Sequence, residues 1–220
     1  YLDNSRTQEA YNKIVNGDAD IIFVAQPSDG QKKRAEKSGV TLLYTPFARE
    51  AFVFIVNADN PVNSLTEQQV RDIFSGAITN WRAVGGDDQE IQTWQRPEDS
   101  GSQTVMLSQV MKNVRMISPQ ETEVASVMEG MINVVAEYRN TKNAIGYTFR
   151  YYATQMNADK NIKLLAINGI APTAENIRND KYPYIVDALM VTRENTTSET
   201  QKLVEWFLTP QGQSLVEDVG

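Results

Sequence analysis

The sequence predicts an α/β fold with mainly parallel sheets. Three observations carry that reading. Short apolar runs rich in β-branched and aromatic residues recur along the chain, amphipathic helical patterns lie between them, and the two kinds alternate through most of the 220 residues. No internal repeat or low-complexity tract interrupts the alternation.

Residues 5–16, SRTQEAYNKIVN, set Ala10, Tyr11, Ile14 and Val15 at helical spacing, with Thr7 or Ser5 as cap and Gly17 as stop. DADIIFVAQP reads as a buried strand, residues 30–38 as a charged helix ending at Gly39, and VTLLYTPF as a strand. AFVFIVN, 51–57, is continuously apolar and fits a strand buried on both faces. SLTEQQVRDIFSG reads as a helix with Ser64 as cap, Glu67 three residues on, Gly76 as stop, and Val70, Ile73 and Phe74 inward. EIQTWQ is a strand, and SQTVMLSQVMKNV a helix with Val105, Val110, Met111 and Val114 inward. Residues 121–138 read as a helix broken by Gly130, NAIGYTF and NIKLLAI as strands, and APTAENIRN as a helix opened by Pro172. YIVDALMVTR is a strand, and the close is a helical hairpin with Pro210 near its joint. Trp81, Trp94 and Tyr147 read as core packing, and Asp87 and Asp88 as a solvated turn.

Composition narrows function. The formal charge is −7 and the pI about 4.8, so no basic stripe exists to neutralise nucleic-acid phosphates. With no cysteine and no histidine, disulfides, thiol catalysis and the usual zinc or haem sites fall away. No nucleophile–base pair is apparent, so an enzyme is not expected, nor a cofactor or metal. No apolar run is long enough to span a membrane, and none reads as a signal peptide.

One stretch invites chemistry: TWQRPEDSGSQT, 93–104, a strand end, a charged loop and a helix entrance. A helix N-terminus offers unpaired N–H groups and roughly half a positive charge. Gly101 permits close backbone approach, Ser100 and Ser102 add hydroxyls, and Arg96 supplies a planar fork suited to tetrahedral oxyanions. Glu98 opposes an anion unless the anion carries a proton. Hydrogen phosphate has an O–H for a carboxylate to accept, whereas sulfate leaves acceptor facing acceptor at a cost of roughly 1–3 kcal/mol. The same residues also suit a surface Arg96–Glu98 ion pair with Ser100 or Asp99 as an ordinary N-cap.

The R-x-E-x-S-G-S of this loop resembles the R-x-D-x-S-G-T signature of the PstS-like phosphate-binding proteins of bacterial ABC importers. LTEQQVRDIFSGAITNWRAVGG, NAIGYTFRYYA and the closing KLVEWFLTPQGQSLVEDVG resemble further segments of that family, so the resemblance covers about the whole chain. It is nearest to the short, lipoprotein-anchored forms of Gram-positive bacteria. The resemblance implies a two-lobed type II periplasmic-binding-protein fold, hinged about a cleft that holds phosphate. Lobe one would comprise 1–48 and 184–220, and lobe two 49–183. Phosphate contacts would fall to Arg96, Glu98, Ser100, Gly101 and Ser102, with Thr7 where the family has a ligand-binding serine. The implied partners are inorganic phosphate and an ABC permease. The implied state is a monomer outside the cell or in the periplasm, tethered only through an anchor upstream of Tyr1.

Two departures accompany the resemblance. The family's first strand and its Gly-Ser-Thr loop would precede residue 1. Val24 and Ala25 stand where the family usually has Ser-Asp or Ser-Arg, removing polar contacts from lobe one. Two other functions therefore stay open: a sensor or interaction module on the same fold, and a binder of another small oxyanion.

Overall fold

The computed structural model describes residues 3, 5–119, 143–156 and 161–219. The helix expected over 121–138 lies outside them. Two compact units emerge: unit 1 comprises Tyr1–Arg49, Asp99–Thr104 and Val186–Gly220, and unit 2 comprises Glu50–Glu98 and Val105–Ile185.

In unit 1 the chain starts with α1 (Thr7–Asn16), whose Ala10, Tyr11, Ile14 and Val15 are buried as their spacing predicts. It ends at Gly17, whose φ of 88° only glycine adopts freely and whose N–H reaches Lys13 O. The cap differs from expectation. Arg6 is the N-cap and makes no side-chain cap bond, so Thr7 is the first helical residue with its hydroxyl uncommitted to capping. Next come β1 (Ile21–Val24) and α2 (Asp29–Lys37), the latter opened by a complete capping box between Ser28 and Gln31. The core of the unit joins Ala10, Tyr11, Ile14, Val15, Ile22, Ala35, Leu189 and Val191. Apart from that core, Phe23, Phe47 and Phe207 meet edge to face with ring centroids 5.3–5.8 Å apart.

Strand β2 (Leu42–Asn57) is one sixteen-residue strand where the sequence suggests two. The intervening Ala48–Arg49–Glu50 contains no turn former, so the backbone stays extended. From Ala51 to Val56 every β2 side chain in unit 2 is fully buried, and each large one contributes about 1.5–3 kcal/mol by leaving water. The remaining elements of unit 2 begin with β3 (Ser64–Leu65), α3 (Glu67–Ser75), a 3₁₀ turn (Trp81–Val84) and β4 (Gln92–Thr93). After the unit 1 segment, helix α4 (Gly101–Val105) continues into a π-helical stretch (Met106–Met111). Then come β5 (Ala144–Phe149), a second π-helical stretch (Tyr152–Met156), β6 (Ile162–Leu164), β7 (Ala166–Ile167) and α5 (Ala174–Arg178). Helix α3 buries Val70, Ile73 and Phe74 as expected, but its cap is Thr66, boxed with Gln69. Ser64 instead pairs in β3 with Ala166. Of the inward residues expected after Ser102, Val105, Val110 and Met111 are buried and Val114 is 41% exposed. The helix stops at Met111, where Lys112 turns to a φ of 53°, so Val114 lies beyond the element in which it was read. Trp81, Trp94 and Tyr147 are core residues.

The chain returns through β8 (Ile185–Arg193) and ends in the hairpin α6 (Ser198–Phe207) and α7 (Pro210–Val219). The expectation of mainly parallel sheets needs correction. β4–β5 and β3–β7 are parallel, but β1–β8, β2–β5 and β2–β6 are antiparallel. Alternating helices and strands imply parallel pairs only where each helix carries the chain back to the same end. The long β2 receives neighbours arriving from the opposite end, so the sheet is mixed.

Candidate functional site

The loop that the sequence singled out is positioned at its start by unit 2. β4 pairs in parallel with β5, Gln92 opposite Ala144 and Thr93 opposite Ile145. Beyond it, Trp94 N–H donates to Ile145 O at 2.9 Å and Arg96 N–H donates to the Tyr147 hydroxyl at 3.1 Å. Tyr147 is wholly buried, and burial pushes its hydroxyl pKa up, so it stays protonated. Arg96 is half-buried and Glu98 exposed.

Asp99–Thr104 belongs to unit 1 and opens helix α4 (Gly101–Val105). Ser100 is its N-cap. The Ser100 hydroxyl accepts Gln103 N–H at 3.2 Å, and its carbonyl accepts Thr104 N–H at 3.0 Å. The N–H groups of Gly101 and Ser102, in the first turn, have no intrahelical acceptor. Ser102 is 1% exposed, and its Oγ has no hydrogen-bond partner among the described residues. An unpaired buried hydroxyl costs about 1–3 kcal/mol, so this one is poised to gain from a ligand.

Gly101 is buried against the start of the chain. A Cβ placed on it would stand 3.0 Å from Ala25 Cβ and 3.3 Å from Thr7 Oγ1. Thr7 therefore lies beside the first turn of α4, and its hydroxyl has no partner among the described residues. Unit 1 thus brings together Thr7, Ser100, Gly101 and Ser102, with two N–H groups that have no intrahelical acceptor and two hydroxyls unpaired among the described residues, a donor set suited to an anion. Arg96 and Glu98 fall in unit 2.

The roles of three residues at this place escaped the sequence reading. Ala25 Cβ stands in the space that a side chain on Gly101 would need, and its carbonyl accepts the Tyr11 hydroxyl at 3.1 Å. Val24 packs on the unit 1 core. Gln31 reaches the Asp99 carbonyl. None of these roles left a trace in sequence; the S-x-x-Q at 28–31 marks Gln31 only as a partner in its own helix cap. Among the described residues no cluster of three or more acidic side chains could hold a metal ion, and no helix is long and apolar enough to cross a membrane.

The fold is of the type II periplasmic-binding-protein class, in mixed α/β form. The chain belongs to the PBP superfamily, whose domain model matches residues 2–211. It is similar to the phosphate-binding protein PstS of Borreliella burgdorferi, 26% identical over 181 residues, covering 80% of this chain and 64% of that protein. The PstS of Bacillus subtilis is 28% identical over 167 residues, covering 75% of this chain and 52% of the relative. The chain thus spans between half and two thirds of the length of these relatives. Among solved structures, a Clostridium perfringens chain crystallised with bound phosphate superposes with a TM-score of 0.76 at 24% identity, covering 96% of this chain and 82% of its own. An ABC-type phosphate transport receptor from Vibrio cholerae gives 0.71 at 23%, covering 97% and 84%.

Proposed function

We propose that this chain binds inorganic phosphate and delivers it to the permease of an ABC importer, making and breaking no bond. The observation that carries the reading is the buried, unpartnered Ser102 hydroxyl in the first turn of α4, beside Gly101 and the Thr7 hydroxyl. The names of the curated relatives support it. Ser102, Thr7 and the N–H groups of Gly101 and Ser102 donate to phosphate oxygens, and Ser100 holds those groups in place as cap. Arg96 supplies positive charge, which a protein with a net charge of −7 must provide locally. Glu98 accepts the proton of hydrogen phosphate.

In this reading, units 1 and 2 correspond to lobes with ends near 48 and 184, and ligand binding favours the form that docks on the permease. The protein acts as a monomer on the outer side of the cytoplasmic membrane, extracellular or periplasmic, held by an N-terminal lipid anchor. Calorimetric titration with phosphate, with sulfate as control, tests the function. Micromolar or tighter binding of phosphate alone is expected.

A second reading draws on the apolar contact of Ala25 with Gly101. If that contact closes the site to a tetrahedral anion, the fold serves as a sensor or interaction module, and neither anion gives heat. A third outcome, binding of a phosphonate or tungstate-like oxyanion without phosphate, would reassign the ligand and keep the site.

A further inference from the structure

We infer that Gln31 is a positioning residue for the anion-binding turn, fixing the Asp99–Ser100 peptide from which the donors of α4 project. This rests on the phosphate reading of that turn. Gln31 is 3% exposed, and every polar position of its amide is used within unit 1. Its Oε1 accepts Ser28 N–H at 2.9 Å. Its Nε2 donates one hydrogen to Gln8 Oε1 at 2.8 Å and the other to Asp99 O at 3.4 Å. Gln8 in turn donates to Asn12 Oδ1 at 3.1 Å.

The amide orientation is set by its partners. Turned over, its NH₂ would face the Ser28 N–H and its oxygen would face two acceptors. A glutamine serving α2 alone needs only the bond from Ser28 N–H, with its own N–H accepted by Ser28 Oγ at 3.2 Å. The two donations are surplus to capping, and both point away from α2, one to α1 and one to the turn before Ser100.

The bond to Asp99 is long, and alone it would be weak. Its leverage comes from burial and from the peptide that it holds. Asp99 O and Ser100 N belong to one peptide plane, so holding the carbonyl holds the plane that begins the α4 cap. α1 also reaches this segment. Thr7 abuts Gly101, and Tyr11, one turn along, holds the carbonyl of Ala25, whose methyl also meets Gly101. Gln31 links these contacts to α2 through Gln8. With this brace removed, the Ser102 hydroxyl and the free N–H groups lose their fixed aim, and preorganised binding weakens.

The test compares Gln31→Met, which keeps the volume and loses the amide, with Ser28→Ala, which weakens the same capping box and leaves the donations to Gln8 and Asp99 in place. Phosphate affinity is read by calorimetry, melting temperature by circular dichroism, and the amide signals of Ser100–Gln103 by NMR. Gln31→Met is expected to lose about tenfold in phosphate affinity and to shift the Ser100–Gln103 amides. Ser28→Ala is expected to lower only the melting temperature. Parental affinity in Gln31→Met overturns the inference, as does equal loss in both variants. If the parent binds no phosphate, the phosphate reading fails and the ligand-free amides decide: movement in Gln31→Met alone supports the brace, and equal movement in both variants overturns it. If Gln31→Met does not fold, the unaltered protein decides. Slowly exchanging Gln31 side-chain protons close to Asp99 protons support the inference, and their absence overturns it.

Discussion

A methyl group on Gly101 would stand 3.3 Å from the Thr7 hydroxyl oxygen, with Ala25 Cβ nearer still at 3.0 Å. Alanine at 101 thus tests two opposing effects. In the first turn of a helix, alanine is favoured over glycine by up to about 1 kcal/mol. Pressing a methyl into a filled site costs about 1–3 kcal/mol. The contacts belong to α1 and to the residue after β1, both fixed in the unit 1 core, so crowding wins. Gly101→Ala is expected to lower stability by about 1 kcal/mol in denaturant titration and to weaken phosphate binding by more than tenfold in calorimetry. Unchanged affinity would show that Thr7 and α4 need not be this close.

Tyr147 carries the next prediction. Its buried hydroxyl accepts the Arg96 N–H at 3.1 Å, so phenylalanine would strip a backbone donor of its partner while keeping the ring contacts with Phe52 and Phe74. Tyr147→Phe is expected to cost about 1–3 kcal/mol of stability, read from the denaturant midpoint at constant slope. Because Arg96 begins the loop proposed to bind phosphate, phosphate affinity should fall as well. A stability change without an affinity change would make Tyr147 purely structural.

Glu50 gives a pH dependence whose sign is fixed. Burial raises its carboxyl pKa above the ordinary 4.5, while the N–H groups of Ala51 and Tyr151, at 2.8 and 3.2 Å, and the nearby charge of Arg150 pull it back. A carboxyl with a raised folded pKa contributes stability that is fully present below the unfolded value of about 4.5 and is lost as pH rises through the folded value. Glu50→Gln removes that titration. The melting temperature of Glu50→Gln minus that of the parent should therefore rise between about pH 4 and pH 7. A flat or falling difference would place the ionised carboxylate in a better environment than the structure does.

How much of this was legible beforehand depended on how local each signal was. The inward faces of α1 and α3 and the closing hairpin arise from spacing within one element, and each appears where spacing put it. Glycines 17 and 76 stop their helices for the same local reason. Caps were less legible, because Ser64 and Thr66 are both cap formers and only the β3–β7 pairing, a contact about a hundred residues distant, takes Ser64 into a strand. Strand direction was not legible: antiparallel partners of β2 come from 145–149 and 162–164, and no local pattern records the end from which they arrive. In the candidate site, the polar residues of 96–102 announced themselves by type. Ala25 did not, since its role is shape, and Gln31 acts on Asp99 across 68 residues.

Hydrogen phosphate and sulfate have nearly the same size and shape, so donors such as Ser102, Thr7 and the N–H groups of α4 cannot tell them apart. Only a group that accepts a hydrogen bond from the ligand can, and Glu98 is the acceptor proposed for that role. With Glu98 ionised, sulfate sets oxygen against oxygen, at a cost of roughly 1–3 kcal/mol, while hydrogen phosphate gains a charge-assisted bond. Glu98→Gln turns one acceptor oxygen into a donor NH₂, which sulfate can use. The variant should therefore bind phosphate more weakly and sulfate more tightly than the parent, compressing their ratio by at least about tenfold in paired titrations. Arg96→Ala should instead lose both anions together, because its charge serves either. If Glu98→Gln lowers both affinities equally, the carboxylate orients Arg96 rather than reading the ligand proton, and discrimination must come from elsewhere in the site.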